Sequence, residues 1–395
     1  SGSGTSLSQD GKNNYTAADI TQEFDIIRGQ AKLSVSTNKT FTSSLGERGS
    51  FEKPIVASDG SWNRSTVRTI NSYDGFGKLT FVKGEGESLS NDGAENYTGA
   101  AIHQDYDIEL LKRTGLSKMV LSTTKSFTSN KDLGGSYDSP LQNADKTSST
   151  QISTVENKYS DTGVLLGVKG NGSFASNDGF GNRTTGTSVT EYDQKILDET
   201  GLSKVKSTTS DSTTKNRDGS TGSQNIKTDF IYDGNAVLVD ATGNGTSTSF
   251  DGYKNFIRSI IQQTYDSGLI DRHGQTKILE TKTFGFTSSS DDKRSDLSAI
   301  DVKNPLYKNG DGSYTYQSSL VRNKYSEGGK LIGVDGQSAS LSNDGYGNWT
   351  ASGKMDLTSG DNLGKISESA GAQTYQIIHG QARLVESNTK TFTSN

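Results

Sequence analysis

The chain has 395 residues, of which only 29% are hydrophobic and 46 are glycine, too little apolar material for one large spherical core. Its 16 Tyr and 14 Phe are nevertheless spread evenly, which argues against plain disorder; a thin layer or narrow tube fits both facts. A net charge of −5 without basic clusters excludes a nucleic-acid footprint, no apolar run approaches the ~20 residues of a membrane span, and the absence of Cys excludes a disulfide framework.

Four landmarks recur in fixed order along the chain. The first is a glycine-rich stretch running into an Asp-Gly turn: SGSGTSLSQDG from Ser1, GEGESLSNDG from Gly84, GNGSFASNDG from Gly170, GNGTSTSFDG from Gly243 and GQSASLSNDG from Gly336. Its aspartates, Asp10, Asp92, Asp178, Asp251 and Asp344, step by 82, 86, 73 and 93 residues. Each is followed by glycine (Gly11, Gly93, Gly179, Gly252, Gly345), which supplies the positive φ of a primed hairpin turn. The second landmark is an aromatic, then a turn and a Lys-containing strand, as in EFDIIRGQAKL from Glu23 and DYDIELLKRTGLSKM from Asp105. That strand ends in a Thr/Phe signature: KTFTSS at Lys39, KSFTSN at Lys125, KTFGFTS at Lys282 and KTFTSN at Lys390. A third turn carries Gly-Ser, at Asp59-Gly60-Ser61, Gly134-Gly135-Ser136, Asp218-Gly219-Ser220 and Asp311-Gly312-Ser313. The fourth landmark is NSYDGFGKL at Asn71, NKYSDTGVL at Asn157, FIYDGNAVL at Phe230 and NKYSEGGKL at Asn323.

The repeats divide the chain into units 1–83, 84–169, 170–242 and 243–335, with a partial fifth unit over 336–395 that lacks the last two landmarks. Four turns per unit leave connecting segments mostly of roughly 10–18 residues, rich in Thr, Val, Ile, Tyr and Phe and poor in helix-forming runs. Several alternate, as at Leu33/Val35 and Phe230/Tyr232. Short turns join neighbouring strands antiparallel. The pattern therefore predicts an all-β fold, a long antiparallel β-meander of repeated four-strand units forming a tube, shell or stacked fibre; a parallel β-solenoid is the alternative. No signal peptide precedes Ser1, which opens in mid-pattern and reads as the start of a processed or truncated chain. Either the chain is cut from a longer array, or a neighbouring subunit supplies the missing strands by edge addition.

The fourth landmark, Tyr-Asp/Ser-x-x-Gly-x-Leu, resembles the tyrosine–aspartate (YD) repeat of Rhs- and teneurin-type proteins. The matching residues are Tyr73, Asp74, Gly77 and Leu79; Tyr159 and Gly163; Tyr232, Asp233 and Leu238; and Tyr325, Gly329 and Leu331. The resemblance covers about ten residues per unit, and that family repeats at about 20 residues rather than the 73–93 seen here. It implies hairpins that spiral into a hollow shell around a cargo or on a cell surface. The Ser/Thr/Gly-rich pattern as a whole is similar to large repetitive bacterial surface proteins.

Candidate sites are few. The SNDGxGN loops bring Asn and Asp oxygens together, so Asp92, Asp178 and Asp344, with Asp311, are Ca²⁺ candidates; most loops offer a single carboxylate, and the competing reading is a plain hairpin turn. Asn14, Asn96, Asn182 and Asn348 begin Asn-x-Ser/Thr sequons at one phase and are glycosylation candidates, although Asn and Thr also suit turn-then-strand. Tyr106, Tyr192, Tyr265 and Tyr375 recur at fixed phase and would form an aromatic ladder if successive units stack, or a carbohydrate-stacking row if exposed. His103, His273 and His379 have no second His within metal-ligand spacing. The carboxylates Asp105/Asp107, Asp138 and Asp291/Asp292 have nothing that fixes an acid–base separation. No catalytic site and no cofactor is assigned. The chain reads as a non-enzymatic, extracellular structural protein of a microbial cell surface, a fibre, filament or sheath built by self-assembly. A glycan-binding repeat adhesin and a YD-type shell enclosing cargo are the alternatives.

Overall fold

A computed structural model of the chain describes residues 1–10, 14–295, 301, 304–356, 365–369, 371, 373–378 and 381–394. In chain order the strands are β1 (Gly2–Gln9), β2 (Tyr15–Ile27), β3 (Gln30–Ser43), β4 (Trp62–Tyr73), β5 (Leu79–Asn91) and β6 (Tyr97–Tyr106). After a short helix α1 (Ile108–Thr114) come β7 (Met119–Ser129), β8 (Ser148–Tyr159), β9 (Leu165–Asn177) and β10 (Arg183–Tyr192). Helix α2 (Gln194–Thr200) leads into β11 (Val205–Lys215), β12 (Thr221–Tyr232), β13 (Leu238–Phe250) and β14 (Phe256–Tyr265). Helix α3 (Ser267–His273) leads into β15 (Ile278–Ser288), β16 (Tyr314–Tyr325) and β17 (Leu331–Asn343). The last unit holds β18 (Trp349–Ser352), β19 (Lys354–Asp356), β20 (Lys365–Glu368), β21 (Gln373–Ile378), β22 (Gln381–Ser387) and β23 (Thr391–Ser394).

Each strand from β1 to β17 pairs antiparallel with the next in sequence, so the fold is the antiparallel meander that the turn spacing predicts. The unit boundaries at 84, 170, 243 and 336 fall inside β5, β9, β13 and β17, and the sheet runs through them without a break. In the fifth unit the pattern persists in pieces. β17 pairs with β18 near one end and with β21 near the other, and β18 and β21 pair in turn with β23 and β22. β18 with β21, and β22 with β23, thus each occupy one strand position, interrupted in the first case by an insertion that carries the separate β19–β20 hairpin. Among the described residues, seventeen continuous strands plus these two composite ones make nineteen.

The register is flush. Trp62 faces Asn91, Asn91 faces Tyr97 and Tyr97 faces Ser129. The same level row runs from Ser148 through Asn177, Arg183, Lys215, Thr221, Phe250 and Phe256 to Ser288, and from Tyr314 through Asn343 and Trp349 to Ser394. Closing a sheet by pairing its first and last strands requires a staggered register. A flush ribbon lacks the stagger, and this sheet stays open. The twist inherent in β-strands still coils it. The rim holding the Asp-Gly turns (the upper rim) comes against the opposite, lower rim about a dozen strands later. Asn14 donates to the His273 carbonyl at 2.8 Å, Ser58 to the Gly328 carbonyl at 3.1 Å, Lys277 lies 3.5 Å from Asp59, and Arg383 lies 2.8 Å from Asp145. Midway along β13, a Cβ on Gly245 would come 2.2 Å from the Asn225 carbonyl oxygen, so the strands close there in a way only glycine permits.

The three helices among the described residues are a departure from the sequence expectation of a turn followed by strand. Each has seven residues, begins at an Asp whose carboxylate accepts a backbone N–H (Asp107 from Leu110, Asp193 from Ile196, Asp266 from Leu269), and ends at a left-handed glycine (Gly115, Gly201, Gly274). Leu110 and Leu111, Leu197, and Leu269 and Ile270 are buried beneath them, against β5, β9 and β13 respectively. In the first unit the same connection is the two-residue turn Arg28-Gly29, with φ of 51° and 78°. The remaining core is thin, and one buried cluster in it is formed by Ile260, Phe284, Phe286, Tyr314 and Tyr316. The chain exposes 21580 Å², against about 15,000 Å² for a compact globule of 42.2 kDa, as a single-layer sheet should.

Candidate functional site

The upper rim carries the most regular polar geometry. In the loop Asp92–Asn96 the Asp92 Oδ1 accepts the backbone N–H groups of Ala94 (2.8 Å) and Asn96 (3.2 Å), and Oδ2 accepts from Asn96 Nδ2 (2.7 Å). Asp178 makes the same bonds with Phe180 and Asn182, Asp251 with Tyr253 and Asn255, and Asp344 with Tyr346 and Asn348. Asp10 likewise accepts from the backbone and side chain of Asn14. Donation from the loop N–H groups holds the carboxyls of Asp178, Asp251 and Asp344 below the usual range. Gly93, Gly179, Gly252 and Gly345 all have φ between 81° and 87°, as a turn role requires; Gly11 lies outside the described residues. The loop is a five-residue connection rather than a two-residue primed turn, and its fourth position is also left-handed, at Glu95, Gly181, Lys254 and Gly347. A Cβ on Gly345 would sit 2.7 Å from the Asp311 carbonyl oxygen, because successive upper-rim turns stack on one another.

This geometry bears directly on the metal and glycan candidates. Both carboxylate oxygens of Asp92, Asp178 and Asp344 point back into their own loops, and Asp311 accepts from the N–H of Ser313 (2.9 Å). Among the described residues no group of three or more His, Asp or Glu is placed to hold a metal ion. Nδ2 of Asn14, Asn96, Asn182 and Asn348, the atom a glycan would occupy, is donated to the turn aspartate in every case. Asn255 does the same without being part of a sequon, so the turn alone accounts for an Asn at this phase.

The lower rim is organised by aromatics. A bulge immediately precedes Phe24, Tyr73, Tyr106, Tyr159, Tyr192, Tyr232, Tyr265, Tyr325 and Tyr375. Tyr106, Tyr192, Tyr265 and Tyr375 lie on β6, β10, β14 and β21, half-buried, with three strands between successive ones, about 19 Å at the usual strand spacing. The units lie side by side in one sheet rather than stacked, so these rings do not meet as a ladder. The fourth-landmark tyrosines have a different task. Tyr73 and Asn71 both donate to the Leu33 carbonyl (2.8 and 2.9 Å), and Tyr325 and Asn323 to that of Ile278 (2.8 Å each). Asn157 donates to Met119 (3.0 Å) and Tyr232 to Val205 (2.9 Å). These carbonyls lie just beyond the last ladder pair, and burial pushes the hydroxyls of Tyr73, Tyr159, Tyr232 and Tyr325 up. Asp74 and Asp233 each accept two N–H groups of their own turns, a local role consistent with hairpins.

Several of the remaining polar candidates are engaged in contacts within the fold. His103 lies 3.1 Å from Asp105, Asp107 caps α1, and His273 lies 3.0 Å from the Glu327 carbonyl; His379 is outside the described residues. Asp292 is buried against Arg294, whose guanidinium lies 4.1 Å over the Phe286 ring, while Asp291 accepts from Ser289. A polar concavity of about 570 Å³ over β10–β14 is lined by Thr185, Asp211, Gln224, Thr246 and Arg258, with Asp211 bonded to Asn225. It offers hydroxyls and amides, and its one carboxylate has no second acid beside it. Exposed aromatics stand instead at the upper-rim tips, at Phe180, Tyr253 and Tyr346, in the variable third position of the loops. The repeat pattern does not mark this position, because its residue changes from copy to copy, Ala94 in one and an aromatic in three others. Among the described residues no helix is long and apolar enough to cross a membrane. No family model matches the chain, and no curated protein matches it.

Proposed function

We propose that this chain is a non-enzymatic scaffold of a cell surface, a β-ribbon whose function is mechanical and whose repeats set its length. The observation that carries this reading is the flush ladder through nineteen strand positions, with the polar groups of the turns spent on the turns themselves. A continuous ladder loaded across many strands resists extension, and units that differ only in their loops allow length to change by duplication. Electron microscopy of the purified protein tests this. Uniform ribbons, filaments or coils are expected, and compact particles of globular size would overturn the reading. A second reading, a YD-type shell, is favoured by the contacts between opposite rims, and the same images would then show hollow particles. The exposed rings Phe180, Tyr253 and Tyr346 favour glycan contact along one rim, which retention on polysaccharide columns would reveal and loss of all three rings would abolish.

A further inference from the structure

Deepening the scaffold reading and resting on it, we propose that the third turns of the upper rim dock on the lower rim of the same sheet and close the coil with a seam. The partner of each turn is the base leading the strand eleven positions further on. Two copies of this contact are present among the described residues. Asp59 precedes β4 and meets Lys277, which precedes β15, at 3.5 Å. Asp145 precedes β8 and meets Arg383 on β22, in the nineteenth strand position, at 2.8 Å. The two turns are equivalent. In each, the aspartate Oδ1 accepts the backbone N–H and the hydroxyl of the residue two further on, Ser61 or Thr147, and Oδ2 faces the base. The bases are equivalent too. Lys277 and Arg383 each stand one residue before the partner of a lower-rim tyrosine, Ile278 opposite Tyr265 and Leu384 opposite Tyr375. The contacts span 218 and 238 residues, yet both span eleven strand positions. The seam is therefore counted in strands, and the insertion that carries β19–β20 lengthens the chain without shifting it.

Shape supplies a second observation at the first of these points. Ser58 donates to the Gly328 carbonyl at 3.1 Å, as does Gln275 Nε2 at 3.3 Å, and the Ser58 carbonyl leaves no room for a Cβ on Gly328. The lower-rim turn itself accepts a side chain there, since Phe76, Thr162 and Asn235 fill the same place in the other copies. This glycine answers the opposite rim rather than its own turn. Charge then selects which turn docks where. The side chains of Asp59 and Asp145 are only 13% and 23% exposed, so a carboxylate set against a neutral or acidic lower rim would lose water and gain no counter-charge. An ion pair that is still partly wetted is weakened by salt, so the seam is one that opens to a ribbon and closes again.

The test reads the seam in the whole chain. The sequence has no cysteine, so Val56→Cys and Glu327→Cys place a donor and an acceptor dye beside the Ser58–Gly328 contact. Fluorescence energy transfer should be high and should fall as salt is raised. Lys277→Glu with Arg383→Glu sets acids opposite Asp59 and Asp145 and leaves both turns intact. It should at least halve the transfer at low salt and reverse the salt response, because screening then relieves repulsion. Gly328→Phe should lower the transfer at every salt concentration. Lys195→Glu with Lys206→Glu, the same change of charge away from the seam, should leave it unaltered. In the unlabelled chain, Arg383→Lys should add a zero-length carbodiimide product joining positions 145 and 383. Unaltered transfer in Lys277→Glu with Arg383→Glu, an equal fall in the Lys195→Glu with Lys206→Glu control, or absence of the 145–383 product would overturn the proposal. Ribbons seen by microscopy without these responses would remove only the seam. The same responses from compact particles would remove the scaffold reading and leave the seam standing.

Discussion

The Ile278 carbonyl is held by two donors, Asn323 Nδ2 and the Tyr325 hydroxyl, at a point where the ladder has already ended. Tyr325→Phe should lower stability by about 1 kcal/mol in urea unfolding, and the double change with Asn323→Ala should cost more than the sum of the two single changes, because either donor alone still satisfies the shared acceptor. Full additivity would show that they act separately. The upper-rim aspartates give a pH prediction. The folded-state carboxyls of Asp178, Asp251 and Asp344 lie below their usual range, so their stabilisation is complete above the unfolded value of about 3.9 and is lost as pH falls through the depressed folded values. Replacing all three with Asn should flatten the acid limb of melting temperature against pH below about pH 4 and leave its shape near neutrality unchanged. These turns were legible in the sequence because Asp-Gly leaves few alternatives. The third turn of the second unit was not. There the equivalent of Asp59-Gly60-Ser61 is Asp145-Lys146-Thr147, with Thr147 bonded to Asp145 and Lys146 at φ 67°, so the glycine that marks the other copies is missing. Gly135-Ser136 instead matches Gly49-Ser50, where the same N–H to carbonyl pattern closes a tighter loop three residues on.

At the scale of elements, strand order and strand length could be read from turn spacing, since each short turn sets a strand antiparallel beside the one before it. The helices could not. Seven residues give too little periodicity, and their signal is a capping Asp, one or two buried aliphatic residues and a closing glycine, visible only once the sheet beneath supplies something to bury against. Leu111→Ala should therefore cost about 2–5 kcal/mol and raise hydrogen exchange in α1 and the adjoining part of β5, whereas Asp107→Ala should cost about 1 kcal/mol and act on α1 alone. Equal effects would mean that the helix is held by its cap rather than by its packing. The split strand of the fifth unit was hidden for a different reason. The QTYQII segment matches its counterparts, but an insertion separates it from the WTAS that starts the same strand, and spacing carries no sign that the two halves align.

For the whole molecule, the coil stands on a few contacts between opposite rims, and these can be trapped. Lys277 and Asp59 lie 3.5 Å apart although 218 residues separate them, so a zero-length carbodiimide reagent should join them, with the cross-linked peptides identified by mass spectrometry. Addition of salt should weaken the yield, since the pair is partly open to solvent. Absence of that product at every salt concentration would mean an uncoiled ribbon. The level register has a geometric consequence for growth. A sheet that closes on itself has its girth fixed by strand number and stagger, so inserting one unit would widen the ring. Here an added unit changes neither girth nor pitch; it extends the thread of a screw by four strands, about a third of a turn when opposite rims meet a dozen strands apart. Longer and shorter versions of such a chain would share one diameter and differ only in how far they reach.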